Sequence, residues 1–449
     1  MLNKQTSHTK ANNAFEGAQP VLFKERNGTY SSILFSFGFI HGIVNGIWAF
    51  LSVFLLDLGG TAFHVGLLAF MPGLASTFMQ LAYGRLGDKL GTTWKMVSTG
   101  FLFTALFSIP VIFSTKPWQV ILVTSVQALL GCISEVAITV RFAEVLEPSR
   151  RARFMGVYNP LGYAGNIVGS FLAGMLIPSI GYQYTFLSYT VLNLVIFGMI
   201  RLGLSTHQEK DTNYLTFLRM AFQELRAGLR ELPKVGREGG PYTRWCVGIS
   251  ARGFGIAMFG PILTLYMVNV LNATKPQIGA LNSVAFLVRL LGAPPLGVII
   301  DREGPKRVML IGFLLAAAHP LVFTFAPEVA YLVPVYVLSG IYWAFINGAW
   351  FAWQMNLIPA RRGVYAGYLA FINGLSWAFG PLLGGYLGDA ASLQLSAALS
   401  SLLVLSGLLI LLKVPEKAVA EVITEAQSPP MEPHQLDQPA QVNVRARNN

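Results

Sequence analysis

Gly84-Arg85-Leu86-Gly87-Asp88-Lys89-Leu90-Gly91 is a short hydrophilic stretch between two long apolar ones. Its pattern of glycine, aspartate and base returns in the second half of the chain as Gly297-Val298-Ile299-Ile300-Asp301-Arg302-Glu303-Gly304-Pro305-Lys306-Arg307. The recurrence extends beyond these two loops. Pro148, Ser149, Arg150 and Arg151, followed by Gly156, Gly169 and Gly174, come back at one constant offset as Pro359, Ala360, Arg361 and Arg362, followed by Gly367, Gly380 and Gly385. Asp88 and Gly91 recur as Asp301 and Gly304 in nearly the same register. A register held over so much sequence means duplicated structure, two halves of one design joined in parallel.

The segments between the loops are apolar. Hydrophobic residues make up 53% of the 449 and charged residues 12%, whereas a soluble domain carries roughly a quarter of its residues as charges. Stretches of about 20 apolar residues, the length that crosses a bilayer at 1.5 Å rise per residue, recur from Ser31 to Leu412. They read as twelve spans at 31–56, 62–83, 96–114, 118–140, 154–178, 182–203, 243–271, 277–300, 308–326, 329–355, 363–388 and 391–413. The expected organisation is an N-terminal segment over 1–30, a six-helix bundle over 31–203, a linker over 204–242, a second bundle over 243–413 and a polar tail without fixed structure over 414–449. In the linker, Leu215, Leu218, Phe222, Leu225 and Leu229 fall at helical spacing opposite basic residues. That pattern predicts a helix lying on the inner membrane surface.

The net charge of +11 invites a nucleic-acid reading, but the positions of the Lys and Arg residues exclude it. They fall almost entirely in alternate connections, as the positive-inside bias requires, so both termini are expected in the cytoplasm. The bilayer is the partner this composition demands. Short outer connections suggest a bacterial inner (plasma) membrane, and nothing in the first thirty residues has the form of a cleaved signal. Cys132 and Cys246 lie in apolar spans, where a disulfide framework has no role. No phosphate-binding loop, zinc-binding helix pair or nucleophile elbow occurs. The chain is therefore not expected to be an enzyme, nor to carry a cofactor or a metal.

In the two paired loops the glycines permit a sharp turn and close helix approach. The aspartate is expected just ahead of the next helix, where the dipole favours its charge, and the basic residues face the headgroups. Here the chain resembles the major facilitator superfamily, whose hallmark is G-x-x-x-D-R/K-x-G-R/K-R/K between spans two and three, echoed between spans eight and nine. The resemblance covers the whole membrane region and implies twelve transmembrane helices in two parallel-repeat bundles. It also makes Gly84, Asp88, Gly91, Gly297, Asp301 and Gly304 candidate gating residues that lock the halves in one conformation. In the first copy Thr92 and Thr93 replace the final basic pair, which the second copy keeps as Lys306 and Arg307, so locking is expected to rest more on the second half. Two signatures of the family's proton-driven exporters are degraded. Gln127 stands where an arginine precedes Gly131, and Gly169-Ser170-Phe171-Leu172-Ala173-Gly174 replaces a G-P-x-x-G-G run whose intact form is Gly380–Gly385.

An ionised side chain at mid-bilayer costs about 2.5 to 3.5 kcal/mol on insertion scales, so each intramembrane charge needs a reason. Glu135, Arg252 and Arg289 are the clear cases. By the resemblance, spans one, four, seven and ten line a central cavity, and each offers a polar face. Span one places His41, Asn45, Trp48 and Ser52 on one helical side, and span ten repeats the spacing with Trp343, Asn347, Trp350 and Gln354. Span four aligns Gln127, Gly131 and Glu135, and span seven aligns Arg252, Phe259 and Tyr266. Glu135 is the candidate proton-coupling group, while Arg252 and Arg289 either attract an anionic solute or pair with Glu135. The function expected from all this is secondary active transport of a small organic solute, monomeric and proton-coupled, exporting amphipathic compounds. The alternatives are import of an organic anion and a transporter-like fold that serves as a receptor or assembly factor.

Overall fold

The computed structural model describes residues 27–90, 94–145, 148–204, 214–358 and 362–416. Gly91, residues 359–361 and the tail beyond 416 lie outside them, as do the side chains at 87–90 and 148–153. The expectations for the Asp88 carboxylate, Gly91 and the repeated Pro148–Arg151 group therefore lie outside the described residues.

The described chain is helical nearly throughout. Span one runs over Asn27–Trp48 and Leu51–Asp57, span two over Ala62–Leu90, span three over Trp94–Ile112, and span four over Pro117–Gly131 and Ile133–Val145. Spans five and six form one run, Pro148–Gly203, which turns at Gly181. After the linker helix, Tyr214–Glu238, span seven covers Gly240–Leu265 and ends in a wide turn at Tyr266–Val270. Spans eight to twelve are Lys275–Glu303, Pro305–Phe323, Leu332–Leu357, Arg362–Ala390 and Leu393–Leu412. Ten stretches among the described residues are long and apolar enough to cross a bilayer. Twelve crossings result because Phe154–Gly203 holds two of them, and because Arg362–Ala390, whose glycines and Asn373 dilute its hydropathy, packs alongside spans two and seven.

Local chemistry sets the boundaries. Thr274 and Gln277 cap span eight reciprocally, with the Thr274 amide donating to Gln277 Oε1 at 2.8 Å. Ser392 accepts from the Leu395 amide at the start of span twelve. Gly181 turns the chain with φ +81°, a conformation other residues rarely adopt. Outward-facing Leu106, Phe171, Leu187, Leu291, Leu314 and Leu402 are exposed. A surface of that kind needs lipid rather than water around it. Inside, small hydroxyls tie helices together: Ser108 to Thr190, Ser400 to the Gly255 carbonyl and Ser401 to the Ala317 carbonyl, each at 2.7 Å.

The halves meet along two seams, span two against span eleven and span five against span eight. At the end away from the linker both seams are tight. A Cβ on Gly174 would lie 2.7 Å from the Lys275 carbonyl oxygen, and one on Gly385 would lie 2.5 Å from that of Ala62. The same end carries charge contacts between the halves. Lys275 Nζ lies 2.9 Å from Asp57, and the Asp389 carboxylate accepts from the Ala62 and Phe63 amides at 3.0 Å each, capping span two. At the linker end the seams are loose, and positions Gly84, Gly156 and Gly297 have no described neighbour within 4 Å of an added Cβ.

Four expectations are corrected here. Gly84 and Gly297 do not mediate close helix approach in this conformation, because the seams open at their level. Asp301 does not precede the next helix but sits in the last turn of span eight, and the Asp88 backbone likewise belongs to the last turn of span two. The helix runs on to Gly304, whose φ of +80° makes the break, so the Asp301 carboxylate faces the unfavourable end of its own dipole. Nor does the linker helix rest only against lipid. Ala221 is fully buried against Met79, Tyr83 and Leu86 of span two, and Arg85 holds the helix through Glu231 at 2.8 Å and Glu224 at 3.4 Å. Lys306, expected to face headgroups, donates instead to the carbonyls of Leu412 and Val414. It thereby caps the last span of its own half.

Candidate functional site

Span one is interrupted at Ala49 and Phe50, and just before the break it turns His41, Asn45 and Trp48 toward span four. There Gln127, Gly131 and Glu135 follow at helical spacing, so the two faces enclose a cavity of about 320 Å³. That volume lies within the range of small-molecule sites. His41 Nε2 stands 3.6 Å from Glu135 Oε1, with Glu135 55% exposed to the cavity and His41 23%. The separation exceeds a hydrogen bond and becomes an ion pair when His41 is protonated. Phe37 stacks on the His41 ring at 5.5 Å and Phe101 meets it edge-on, which fixes its orientation.

Gln127 of the expected span-four face and several residues outside the expected faces complete this site. Gln127 is buried and donates to the Thr104 carbonyl at 2.8 Å. Tyr189 of span six stacks under Trp48 at 4.3 Å, and Asn193, whose Oδ1 is buried without a partner among the described residues, lies on the same wall. Ser76 and Gln80 of span two close the remaining side. A second cavity, about 720 Å³, opens toward the linker between Gln80, Arg85, Glu135, Glu231 and the span-eleven residues Ala366 and Gly367. Glu135 and Gln80 line both cavities and together form the junction between the inner chamber and the linker-side vestibule.

The other predicted residues belong to a separate cluster in the second half. Arg252 is 1% exposed, and its guanidinium lies over Trp343 at 5.2 Å, Phe313 at 5.5 Å and Trp350 at 5.9 Å. Arg289 lies over Phe286 at 4.6 Å and approaches Trp343 at 5.2 Å. The pairing of either arginine with Glu135 does not occur, because both point into the second half while Glu135 faces His41 in the first. The span-seven face also points inward. Phe259 is buried against Phe323, and Tyr266 packs on the same ring at 5.3 Å. Asn347 is exposed. Gln354 is buried and donates to the Tyr242 hydroxyl at 3.2 Å, a tie between spans ten and seven. Among the described residues no three His, Cys, Asp or Glu gather as a metal site.

A lipid-facing shell, two duplicated bundles, a chamber within the first of them and a vestibule that reaches the second define a multi-pass membrane transport protein. The chain belongs to the Major Facilitator Superfamily, whose family model matches residues 33–230 and 245–443. Among curated relatives, it is 22% identical to the quinolone resistance protein NorB of Staphylococcus aureus over 90% of this chain and 97% of that one. It is 30% identical to the class H tetracycline resistance protein of Pasteurella multocida, in a stretch that covers 31% of this chain and 35% of the relative. The crystal structure of the nucleoside transporter NupG superposes with a TM-score of 0.64 at 15% identity, covering 85% of this chain and 99% of that one. The last likeness speaks to fold.

Proposed function

We propose that this chain is a secondary transporter that exports a small amphipathic solute by alternating access, with proton movement coupled through Glu135 and His41. The observation that carries the reading is the unequal use of glycine along the two seams. The same helix pairs hold small residues at both ends, yet among the described residues close contact falls at the far end, through Gly174 and Gly385, while Gly84, Gly156 and Gly297 have no described neighbour within 4 Å of an added Cβ at the linker end. Two faces prepared for contact with one engaged fit a pair of halves that rock between two closures. With the far end sealed and the vestibule open toward the linker, the described state is the one that receives solute from the linker side. The charge pattern of the sequence assigns that side to the cytoplasm.

Glu135 stands where a coupling group is needed, between chamber and vestibule. A bare carboxylate there is costly as the chamber closes around it. It crosses either protonated or paired with protonated His41, so the loaded state carries a defined proton. The resistance functions in the names of the relatives from Staphylococcus and Pasteurella support export rather than uptake. The test is transport by purified protein in liposomes under an imposed pH gradient. Wild type moves solute in response to the gradient, and Glu135→Gln loses that dependence. Unchanged pH dependence in the variant would remove Glu135 from coupling.

A further inference from the structure

The arginine pair of the second half is unexplained by proton coupling. Neither Arg252 nor Arg289 has an acidic partner among the described residues, and Arg252 Nε and Nη1 and Arg289 Nε are buried without hydrogen bonds. An arginine kept for architecture inside a membrane bonds carbonyls or carboxylates. Their guanidinium groups lie over aromatic faces, which attract a cation but leave Arg252 Nε and Nη1 and Arg289 Nε unbonded among the described residues. A third unpaired group lies against span seven, one residue beyond Arg252. Asn373 Oδ1 is buried without a partner, and it comes within 3.1 Å of where a Cβ on Gly253, the residue after Arg252, would stand. Trp377 neighbours the same spot and faces Trp343 at 6.0 Å. The cluster thus holds excess positive charge, unused donors, an unused acceptor and aromatic walls.

Its position matters as much as its content. Arg289 follows Phe286, whose ring meets Tyr163 of the first half at 6.2 Å, so it sits on the span five and eight seam just where that seam begins to open toward the linker. Arg289 is partly exposed there, whereas Arg252 lies behind Trp343.

We propose that the second half carries a subsite for the anionic head of an aromatic or amphipathic solute. Arg289 is the direct contact, Trp343 the ring platform, Asn373 the acceptor for a donor on the solute, and Arg252 the buried second positive charge. A planar guanidinium with free donors suits a carboxylate, sulfonate or phosphate alike. The proposal rests on the transport reading and narrows its solute to amphipathic anions.

The experiment titrates the full chain in detergent with naphthoate and with the uncharged naphthamide, followed by tryptophan fluorescence. Naphthoate is expected to bind about 10- to 100-fold more tightly than the amide, the span of a charge-assisted hydrogen bond. Arg289→Gln, checked as folded by its thermal melt, abolishes that preference, and Arg289→Lys retains part of it. Equal affinities for the two probes, absence of binding by both, or a preference that survives Arg289→Gln would overturn the proposal. Glu135→Gln separates the two readings. A naphthoate preference kept in that variant together with unaltered pH-dependent transport sinks the coupling reading and leaves the subsite standing, and loss of the preference in Arg289→Gln alone supports the subsite.

Discussion

At the level of single residues, side chains of the same type serve different ends according to which helix face carries them. Glu135 is exposed to two cavities and, among the described residues, pairs only with His41, whereas Gln354, eleven residues into the same kind of polar stripe as Trp343, is spent on Tyr242. Replacing Gln354 by Leu is expected to cost about 1 kcal/mol, the net worth of one hydrogen bond, and to leave solute affinity unchanged. A thermal melt and a ligand titration check the two halves of that statement. The loop aspartates lend themselves to a paired test. If locking depends more on the second copy, Asp301→Asn slows transport more than Asp88→Asn, and equal losses would contradict the asymmetry. The span-one face and the steps of four in span four were legible because regular spacing on one side of a helix is a signal. Ser76, Gln80, Tyr189 and Asn193 were not, since an isolated polar residue in an apolar span has no periodicity to betray where it points. The span-seven stripe misled for a related reason: steps of seven mark a face, and that face packs on Phe323 rather than on the chamber.

At the level of elements, the linker helix and the seam glycines set the mechanics. Arg85 anchors the linker helix through two glutamates that the sequence reading passed over in favour of the basic face. Neutralising Glu224 and Glu231 to Gln is expected to cost up to about 1 kcal/mol, since the pair is partly exposed and screened. Hydrogen exchange should quicken over Tyr214–Glu238 while the spans stay protected. The seam glycines make a sharper case. Gly297→Leu meets no described neighbour in this state, so the variant is expected to fold with an unaltered melt yet transport poorly because the linker end can no longer close. Normal transport by that variant would argue against closure at this seam. Gly174→Leu meets backbone at once and should destabilise the described state, which the melt would register directly. Span boundaries and the duplication were plain in the sequence because hydropathy and repeat register are one-dimensional properties. Which end of each seam is engaged is a property of one conformation, and no residue pattern encodes it.

For the whole molecule, the far-end clasp of Asp57 with Lys275 and of Asp389 with the start of span two closes one side of a body whose other side is open. Transport by alternating access requires the two halves to exchange these closures. Spin labels at Thr115 and Glu328, in exposed loops of the two halves at the far end, and at Leu202 and Arg302, exposed at the linker end, report it directly. Labelling is selective because the native Cys132 and Cys246 are buried. The prediction is a second population in which the far-end distance lengthens as the linker-end distance shortens, favoured when the pH or the solute changes. Two distances that stay fixed under conditions in which the liposomes transport would contradict it.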